Sequence, residues 1–159
     1  MRGEKPGRLL RIDLSQESWS TEEIPESLMR QFIGSRGLNM YRIFREIPAG
    51  TDPLGPENKL VFGTGPLNGT LFPGGRFNVS ARSPQTGLVG DSNAGGFFGS
   101  EMRFAGWDQI VLEGRAPRPV YVFIEDDRIE IRDADHLWGL DTYETHRAIR
   151  RELGDPEVQ

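Results

Sequence analysis

Glycine is concentrated in the middle of this chain, and that concentration limits the folds the chain can adopt. Of the 20 glycines in 159 residues, fourteen lie between Gly50 and Gly114. Glycine and proline together make up about 19% of the residues, against about 12% in average usage. Such a chain is either loop-rich and partly disordered, or its backbone must come close to another group. Three Trp, three Tyr and nine Phe residues favour the second explanation, because they can build a core.

The glycine-dense middle covers residues 63–107. The segments on either side of it have the periodicities of ordinary strands and helices. Alternating apolar and polar residues predict a strand over 7–14, with 19–24 as its hairpin partner. A first helix is predicted from Pro25 to a stop at Gly34. Further short strands are predicted over 59–62, 77–81, 109–113, 120–124 and 128–132, the last two joined by a hairpin turn at 126–127.

Two more helices complete the predicted elements. One covers 38–47, with Leu38, Tyr41, Phe44 and Ile47 on one face. The last begins at Asp141 and runs through residue 153, since Asp141 followed by a glutamate three residues later resembles a capping box. The fold class is therefore α+β, with β-rich units of mixed or antiparallel strands and a few short helices. The alternation predicts a mostly buried set: Leu10, Ile12, Val61, Phe77, Val79, Ile110, Leu112, Val122 and Ile124.

Composition excludes several classes of function. The formal net charge of −5 argues against non-specific binding of nucleic acid or of an anionic membrane surface. No cysteine is present, so this chain cannot itself ligate an iron–sulfur cluster or use a thiol nucleophile. The N-terminal residues 1–11 contain no apolar run typical of a signal peptide. No window reaches the roughly 18–20 apolar residues of a membrane span.

The strongest candidate for a binding site lies in the glycine-dense middle. Two Gly-Gly pairs, at 74–75 and 95–96, enclose Arg76 and Asn93 within about twenty residues. Glycine pairs let backbone amides approach an anion, and a planar guanidinium can fork onto a phosphate or a flat heterocycle. Turns and close strand packing explain the same glycines equally well, so both explanations stay open here. The 93–99 segment lacks the spacing of a dinucleotide or phosphate loop, and no strand–turn–helix frame is predicted around it.

The histidines give a weaker signal. His136 and His146 have no second ligand at metal-binding spacing, and the sequence around His136 favours a turn ahead of a buried aromatic residue, Trp138. The acidic residues 125–127 are predicted to lie solvated at a hairpin tip.

Taken in order, these segments resemble the N-terminal domain of the aldehyde ferredoxin oxidoreductase family, which comprises tungsten- or molybdenum-pterin enzymes. The resemblance covers nearly the whole chain. Its segments are G-R-L-L-R-I-D-L at 7–14, F-I-G-S-R-G-L at 32–38, D-P-L-G-P-E-N-K-L at 52–60, G-P-L-N-G-T at 65–70, G-G-R-F-N-V-S at 74–80, S-P-Q-T-G at 83–87, N-A-G-G-F-F-G at 93–99, F-A-G-W-D at 104–108 and R-D-A-D-H-L-W-G at 132–139.

The resemblance implies a set of cofactor contacts. In the family this domain is a β-rich base for two pterin dithiolenes and their metal. Arg76 would contact the pterin and bridge toward a neighbouring [4Fe-4S] cluster that other domains ligate. Asn93 would bind, through its main-chain carbonyl, the magnesium that joins the two pterin phosphates. Ala94, Gly95 and Gly96 would line the same surface. The resemblance does not decide between tungstopterin and molybdopterin.

The resemblance also implies partners that this chain lacks. The cluster cysteines, the acid and base groups and the second half of the pterin base belong to later parts of family enzymes. Residues 154–159 resemble a turn and the start of a strand, so we expect the domain to continue beyond the sequence or on another polypeptide. We expect a cytoplasmic enzyme that oxidises aldehydes and passes electrons to ferredoxin, with this chain alone inactive and prone to self-association, including a homo-oligomer. The alternative is a non-catalytic scaffold or assembly subunit that kept the fold without the cofactor.

Overall fold

The chain forms two compact units, each with its own sheet. The computed structural model describes residues 6–158, so the predicted lack of an apolar leader falls partly outside the described residues. The first unit is Met1–Arg115 and the second is Ala116–Gln159. Mixed sheets with short helices confirm the α+β class. No helix in the described range is long and apolar enough to cross a membrane.

A six-stranded mixed sheet organises the first unit. Its strands, in chain order, are β1 Gly7–Asp13, β2 Ser18–Ile24, β3 Lys59–Gly63, β4 Phe77–Arg82, β5 Val89–Ala94 and β6 Gln109–Glu113. They lie side by side in the order β2-β1-β6-β3-β4-β5. The pair β1 and β6 is parallel, and the other neighbours are antiparallel. β5 therefore lies at one edge.

Helices α1, Glu26–Phe32, and α2, Ser35–Glu46, cover one face of this sheet. The core between them consists of buried aliphatic residues: Leu9, Ile24, Leu38, Ile43, Val61 and Val111. Because side chains alternate along a strand, the neighbouring residues Leu10, Ile12 and Ile110 point to the opposite face, where they are also buried. On that face the rings of Phe62, Phe77 and Phe98 form a cluster, with centroids 4.7–6.4 Å apart.

The predicted buried set is confirmed in part. Leu10, Ile12, Val61 and Ile110 are buried. The other members are only half-buried: Phe77, Val79, Leu112, Val122 and Ile124. Alternation assigns a residue to a face, but the cover over that face decides its exposure.

The predicted apolar face of α2 is wrong at Phe44, which is 84% exposed. Leu38 is buried and Tyr41 packs against Phe32, with ring centroids 5.2 Å apart. The side of α2 that meets the sheet instead carries Asn39 and Ile43, both buried. The helix turns Asn39 toward the sheet because the Asn39 amide forms hydrogen bonds there with Val61 and Asn78, which the Phe44 ring could not form.

An ion-pair network ties α2 to the strands. Arg11 on β1 contacts Glu22 at 2.6 Å, Glu46 at 3.0 Å and Glu113 at 3.1 Å. Burial works against the Arg11 charge, but the hydrogen bonds that Arg11 donates to Glu22 and Glu46 outweigh it and raise the pKa of Arg11. Lys59 also pairs with Glu113. Half-buried networks of this kind resist screening better than single surface pairs.

The second unit is a hairpin and a helix. β7, Val120–Glu125, pairs with β8, Arg128–Asp133, through a turn in which Asp126 has φ 53°. α4, Thr142–Leu153, begins with the predicted capping box, because Asp141 accepts from the Glu144 backbone amide and Glu144 accepts from that of Asp141. Between them lies the short 3-10 helix Asp135–Leu137.

The prediction of a buried aromatic residue after this 3-10 helix is wrong. Trp138 is 79% exposed, whereas the preceding Leu137 is buried. The 3-10 turn points only one of the two adjacent side chains inward. His136 instead contacts Glu152 on α4, with Nε2 3.0 Å from Oε2.

Candidate functional site

The two Gly-Gly pairs meet at one end of the β4–β5 hairpin. In the antiparallel register Phe77 lies opposite Ala94. Beyond this pair the chains continue side by side, so a Cβ atom built on Gly75 would lie 3.6 Å from the Gly96 carbonyl oxygen. The fold therefore brings together Arg76 and residues 93–96, which the sequence analysis singled out separately.

A strand–turn–helix frame surrounds the second pair, contrary to the prediction. β5 ends at Ala94, and α3, Phe98–Phe104, begins after a three-residue turn. The frame was missed because most residues of β5 are polar or glycine and exposed. Tertiary pairing with β4, not β-propensity, makes this segment a strand.

The structure separates the two explanations for the glycines. A Cβ on Gly99 would meet Asn68 Nδ2 at 2.7 Å, and one on Gly69 would meet the Phe104 ring at 2.7 Å. Close packing thus explains these positions. A Cβ on Gly95 or Gly96 would have no described atom within 4 Å, so packing explains neither. Gly96 has φ 88°, which favours glycine by conformation, but Gly95 has no left-handed φ.

Arg76 lies at the entry to β4 with its side chain exposed. Its backbone carbonyl accepts from Asn68 Nδ2 at 3.1 Å, which anchors the main chain at that point. Within residues 6–158 its guanidinium forms no hydrogen bond or ion pair. The five N–H donors of this side chain therefore face solvent beside the open glycines.

Asn93 and Ala94 occupy the last two positions of β5. Asn93 lies opposite Asn78, and its Oδ1 is 3.5 Å from Asn78 Nδ2. Asn93 and Ala94 are both exposed. In the described sheet β5 has a strand neighbour on one side only, so its outer edge presents backbone groups that no strand pairs.

A buried amide cluster, which the sequence did not predict, lies next to this corner. Asn39, Asn78 and Gln109 are each 0% exposed, and Ser80 is 1% exposed. Gln109 Nε2 donates to Asn39 Oδ1 at 2.9 Å, and Asn39 Nδ2 lies 3.1 Å from Asn78 Oδ1. Polar residues on inward-facing positions of β4 and β6 were the signal that could have revealed it.

Exposed apolar side chains lie close in sequence to the two Gly-Gly pairs, whose open positions Gly75, Gly95 and Gly96 we call the glycine surface. Leu71 is fully exposed, Phe72 is 65% exposed and Phe97, next to Gly96, is 70% exposed. Leu67 stands beside Gly74, where a Cβ atom would lie 3.3 Å from the Leu67 Cβ. This corner combines an open backbone, a cation and apolar side chains, which suits a flat anionic ligand.

The histidines do not form a second candidate site. Among the described residues no group of three or more His, Cys, Asp or Glu side chains is placed to hold a metal ion. A Tyr121 hydroxyl donates to Glu152 at 2.7 Å beside His136, and these contacts together lower the pKa of Glu152. The His136 cluster therefore connects elements of the second unit.

Comparisons with known proteins find clear relatives of this chain. The family model described as aldehyde ferredoxin oxidoreductase, N-terminal domain, matches residues 9–159. A tungsten-containing aldehyde ferredoxin oxidoreductase of Thermococcus kodakarensis is 52% identical over 96% of this chain and 25% of its own length. One of Pyrococcus furiosus is 49% identical over 96% of this chain and 26% of its own length.

A solved structure has the same fold. It is the active site complex BamBC of benzoyl coenzyme A reductase in complex with 1,5-dienoyl-CoA, with a TM-score of 0.93 and 38% sequence identity. The match covers 95% of this chain and 23% of that one. The chain thus spans about a quarter of the length of the relatives it matches.

Proposed function

The chain belongs to the aldehyde ferredoxin oxidoreductase family through its N-terminal domain, and on that premise we propose that it supplies one half of a tungsten–pterin-binding surface in an aldehyde-oxidising enzyme. The observation that carries the proposal is the corner formed by Arg76 and residues 93–96. Among the residues of the first unit that the structure describes, none accounts for its open Gly95 or for the uncommitted Arg76 guanidinium.

The residues of this corner fit a pterin with its phosphate. Gly75, Gly95 and Gly96 leave the backbone uncovered, so a flat ring system can approach it without meeting a Cβ atom. The Arg76 guanidinium is planar and can donate two parallel hydrogen bonds to a phosphate or a ring edge. Exposed Phe72 and Phe97 offer apolar cover beside the polar contacts.

Each residue has a defined task in this proposal. When bound, the tungsten–pterin group supplies the two-electron oxidation chemistry that no side chain of this chain provides. Arg76 binds and orients the anionic edge of the cofactor. Gly95 and Gly96 would bring main-chain groups into contact with it, and the Asn93 main-chain carbonyl would be a ligand for the magnesium that accompanies the cofactor.

The finer assignments rest on family membership. We place the [4Fe-4S] cluster, the acid and base groups and the remaining half of the pterin surface in the part of the enzyme beyond this chain. Ferredoxin receives the electrons and an aldehyde supplies them, with the enzyme in the cytoplasm. Tungsten is favoured over molybdenum because the two relatives above contain tungsten.

Metal and pterin analysis of the protein as its native host makes it tests the proposal. We expect about one tungsten per chain, with pterin released on denaturation and oxidation. The Arg76→Lys variant keeps the charge but loses the planar fork, so its tungsten and pterin content should fall to less than half. Arg45→Lys, at an exposed position near the end of α2, is the matched control and should keep full content.

Two results would contradict the proposal. The wild-type protein would contain neither tungsten nor molybdenum nor pterin after anaerobic purification. Alternatively, Arg76→Lys and Arg45→Lys would retain the cofactor equally, which would make Arg76 an ordinary surface arginine.

A further inference from the structure

Asn78 is the second residue of β4, and its buried side chain lies beside the edge strand β5, which ends at the candidate site. All the hydrogen-bonding capacity of its side-chain amide is engaged. Its Oδ1 accepts from Ser80 Oγ at 2.7 Å and from Asn39 Nδ2 at 3.1 Å. Its Nδ2 donates to Asp91 Oδ1 at 2.7 Å and to the Ser92 carbonyl at 2.9 Å. This pattern fixes which way the amide points, since a flip would place donor against donor.

On its inner side Asn78 is connected through Asn39 to α2 and to the centre of the sheet. Asn39 Nδ2 also lies 3.0 Å from the Val61 carbonyl, and Asn39 Oδ1 accepts from Gln109. Glycine at position 63 makes the room, because a Cβ there would lie 2.5 Å from Asn39 Oδ1. The amide cluster is therefore held by three strands and a helix, and a fully satisfied buried network is rigid.

On its outer side Asn78 is hydrogen-bonded to the two residues just before the candidate site at 93–96. Asp91 and Ser92 precede Asn93, and the second carboxylate oxygen of Asp91 is held by Arg36 Nε at 2.6 Å. β5 buries little of its own surface, since its residues are nearly all exposed. Its path therefore depends on the ladder to β4 and on these side-chain bonds, since hydrophobic packing contributes little.

From these contacts we infer that Asn78 is a positioning residue, which holds the end of β5 so that residues 93–96 keep one binding geometry. It does so from the neighbouring strand, and its Nδ2 lies 3.5 Å from the Asn93 Oδ1 at the start of that segment. The effect of Asn78 on cofactor binding rests on the proposed function, whereas its effect on the geometry of residues 93–96 does not.

The test compares three variants of the protein as its native host makes it. Asn78→Asp keeps the side-chain volume but turns an oxygen toward Asp91 and the Ser92 carbonyl. Asn78→Asp combined with Asp91→Asn restores a donor–acceptor pair between these positions. Leu9→Ala removes core packing on β1, three strands away, and is the control for general loss of stability.

Hydrogen exchange measured by mass spectrometry is the first readout. In Asn78→Asp the backbone amides of residues 92–97 should exchange about tenfold faster, the effect of losing one buried hydrogen bond. The double variant should recover part of this protection. Leu9→Ala should leave these amides unchanged relative to the rest of the sheet. If the buried charge prevents purification, Asn78→Ser removes the same donor without a charge and should give the same pattern.

Tungsten and pterin content is the second readout and should fall in the order of the exchange rates. Equal exchange at 92–97 in Asn78→Asp and Leu9→Ala, at equal loss of melting temperature, would overturn the inference. The inference would also be overturned if the wild-type protein contains tungsten and Asn78→Asp exchanges faster at 92–97 but keeps its full cofactor content. A wild-type protein without cofactor would instead refute the proposed function, and the exchange pattern alone would then decide the role of Asn78.

Discussion

Adding one methyl group at Gly63 should destabilise the first unit strongly. Gly63 ends β3 under α2, and its φ is not left-handed, so the cost is steric. A Cβ atom would lie 2.5 Å from Asn39 Oδ1 and 3.0 Å from the Ser35 carbonyl oxygen. Neither neighbour can move freely, because Ser35 is helix backbone and the Asn39 amide is held by Val61, Asn78 and Gln109.

The expected magnitude follows from two costs. Forcing an extra methyl into a packed interior costs about 1–3 kcal/mol. Displacing the Asn39 amide leaves at least one buried polar group without its partner, which costs about 1–3 kcal/mol more. Since the two costs overlap when α2 shifts, we expect a loss of about 2–4 kcal/mol in the free energy of unfolding. In a chain of this size that lowers the melting temperature by roughly 5–15 °C.

Guanidinium unfolding of the 159-residue chain at low concentration measures the effect. The midpoint for Gly63→Ala should fall by about 0.5–1 M relative to wild type. Gly65→Ala is the matched control two residues along, because its Cβ would lie 3.5 Å from Asn68 Oδ1, an ordinary contact. We expect that control to stay within about 0.5 kcal/mol of wild type. Equal midpoints for the two variants would refute the claim that the Asn39 amide is rigidly held.

Three other perturbations test the ion pairs, the glycine surface and the helix cap. Burial raises the pKa of Glu46, but hydrogen bonds from Arg11 and Arg42 outweigh it and lower the pKa below 4.5. The stabilisation by the Glu46 carboxylate is present above pH 4.5 and is lost as the pH falls through the depressed pKa. The urea unfolding of Glu46→Gln should therefore differ from that of wild type at pH 7 and converge with it in acid. A difference that stays constant with pH would contradict this. Gly95→Ala should unfold like wild type, but the protein made by its native host should contain less tungsten, as measured by mass spectrometry. Full tungsten content would count against the open surface as a binding site. Asp141→Ala should cost about 1 kcal/mol in urea unfolding followed by helical circular dichroism, because the cap of α4 is lost; no change would mean that the box contributes nothing.

The regular elements at the two flanks of the chain were predictable because their signals are local. The strand at 7–14 and its hairpin partner follow from alternation, and each occupies the expected segment. The capping box of α4 needs only Asp141 and Glu144, three residues apart. Such contacts depend on the residues within one turn or one hairpin, so the amino-acid order is sufficient to specify them.

The family resemblance was also readable from the sequence, and the match over residues 9–159 confirms it. The roles assigned to Arg76, Asn93, Ala94, Gly95 and Gly96 stay predictions. The sequence could not say whether the glycines served packing or an open surface, because a glycine pattern is the same in both cases. Only the positions of neighbouring atoms separate Gly99, which is packed, from Gly95, which is open.

Tertiary structure alone decided the corner at which the candidate site lies. β5 has little strand propensity of its own and forms because β4 offers it a pairing edge. α2 turns Asn39 inward and leaves Phe44 outside because the partners of Asn39 lie 22 to 70 residues away in the chain. Apolar periodicity predicts burial of the larger hydrophobic residue, whereas a buried amide is favourable only when distant donors and acceptors meet it. Those distant partners come together only when the sheet has formed.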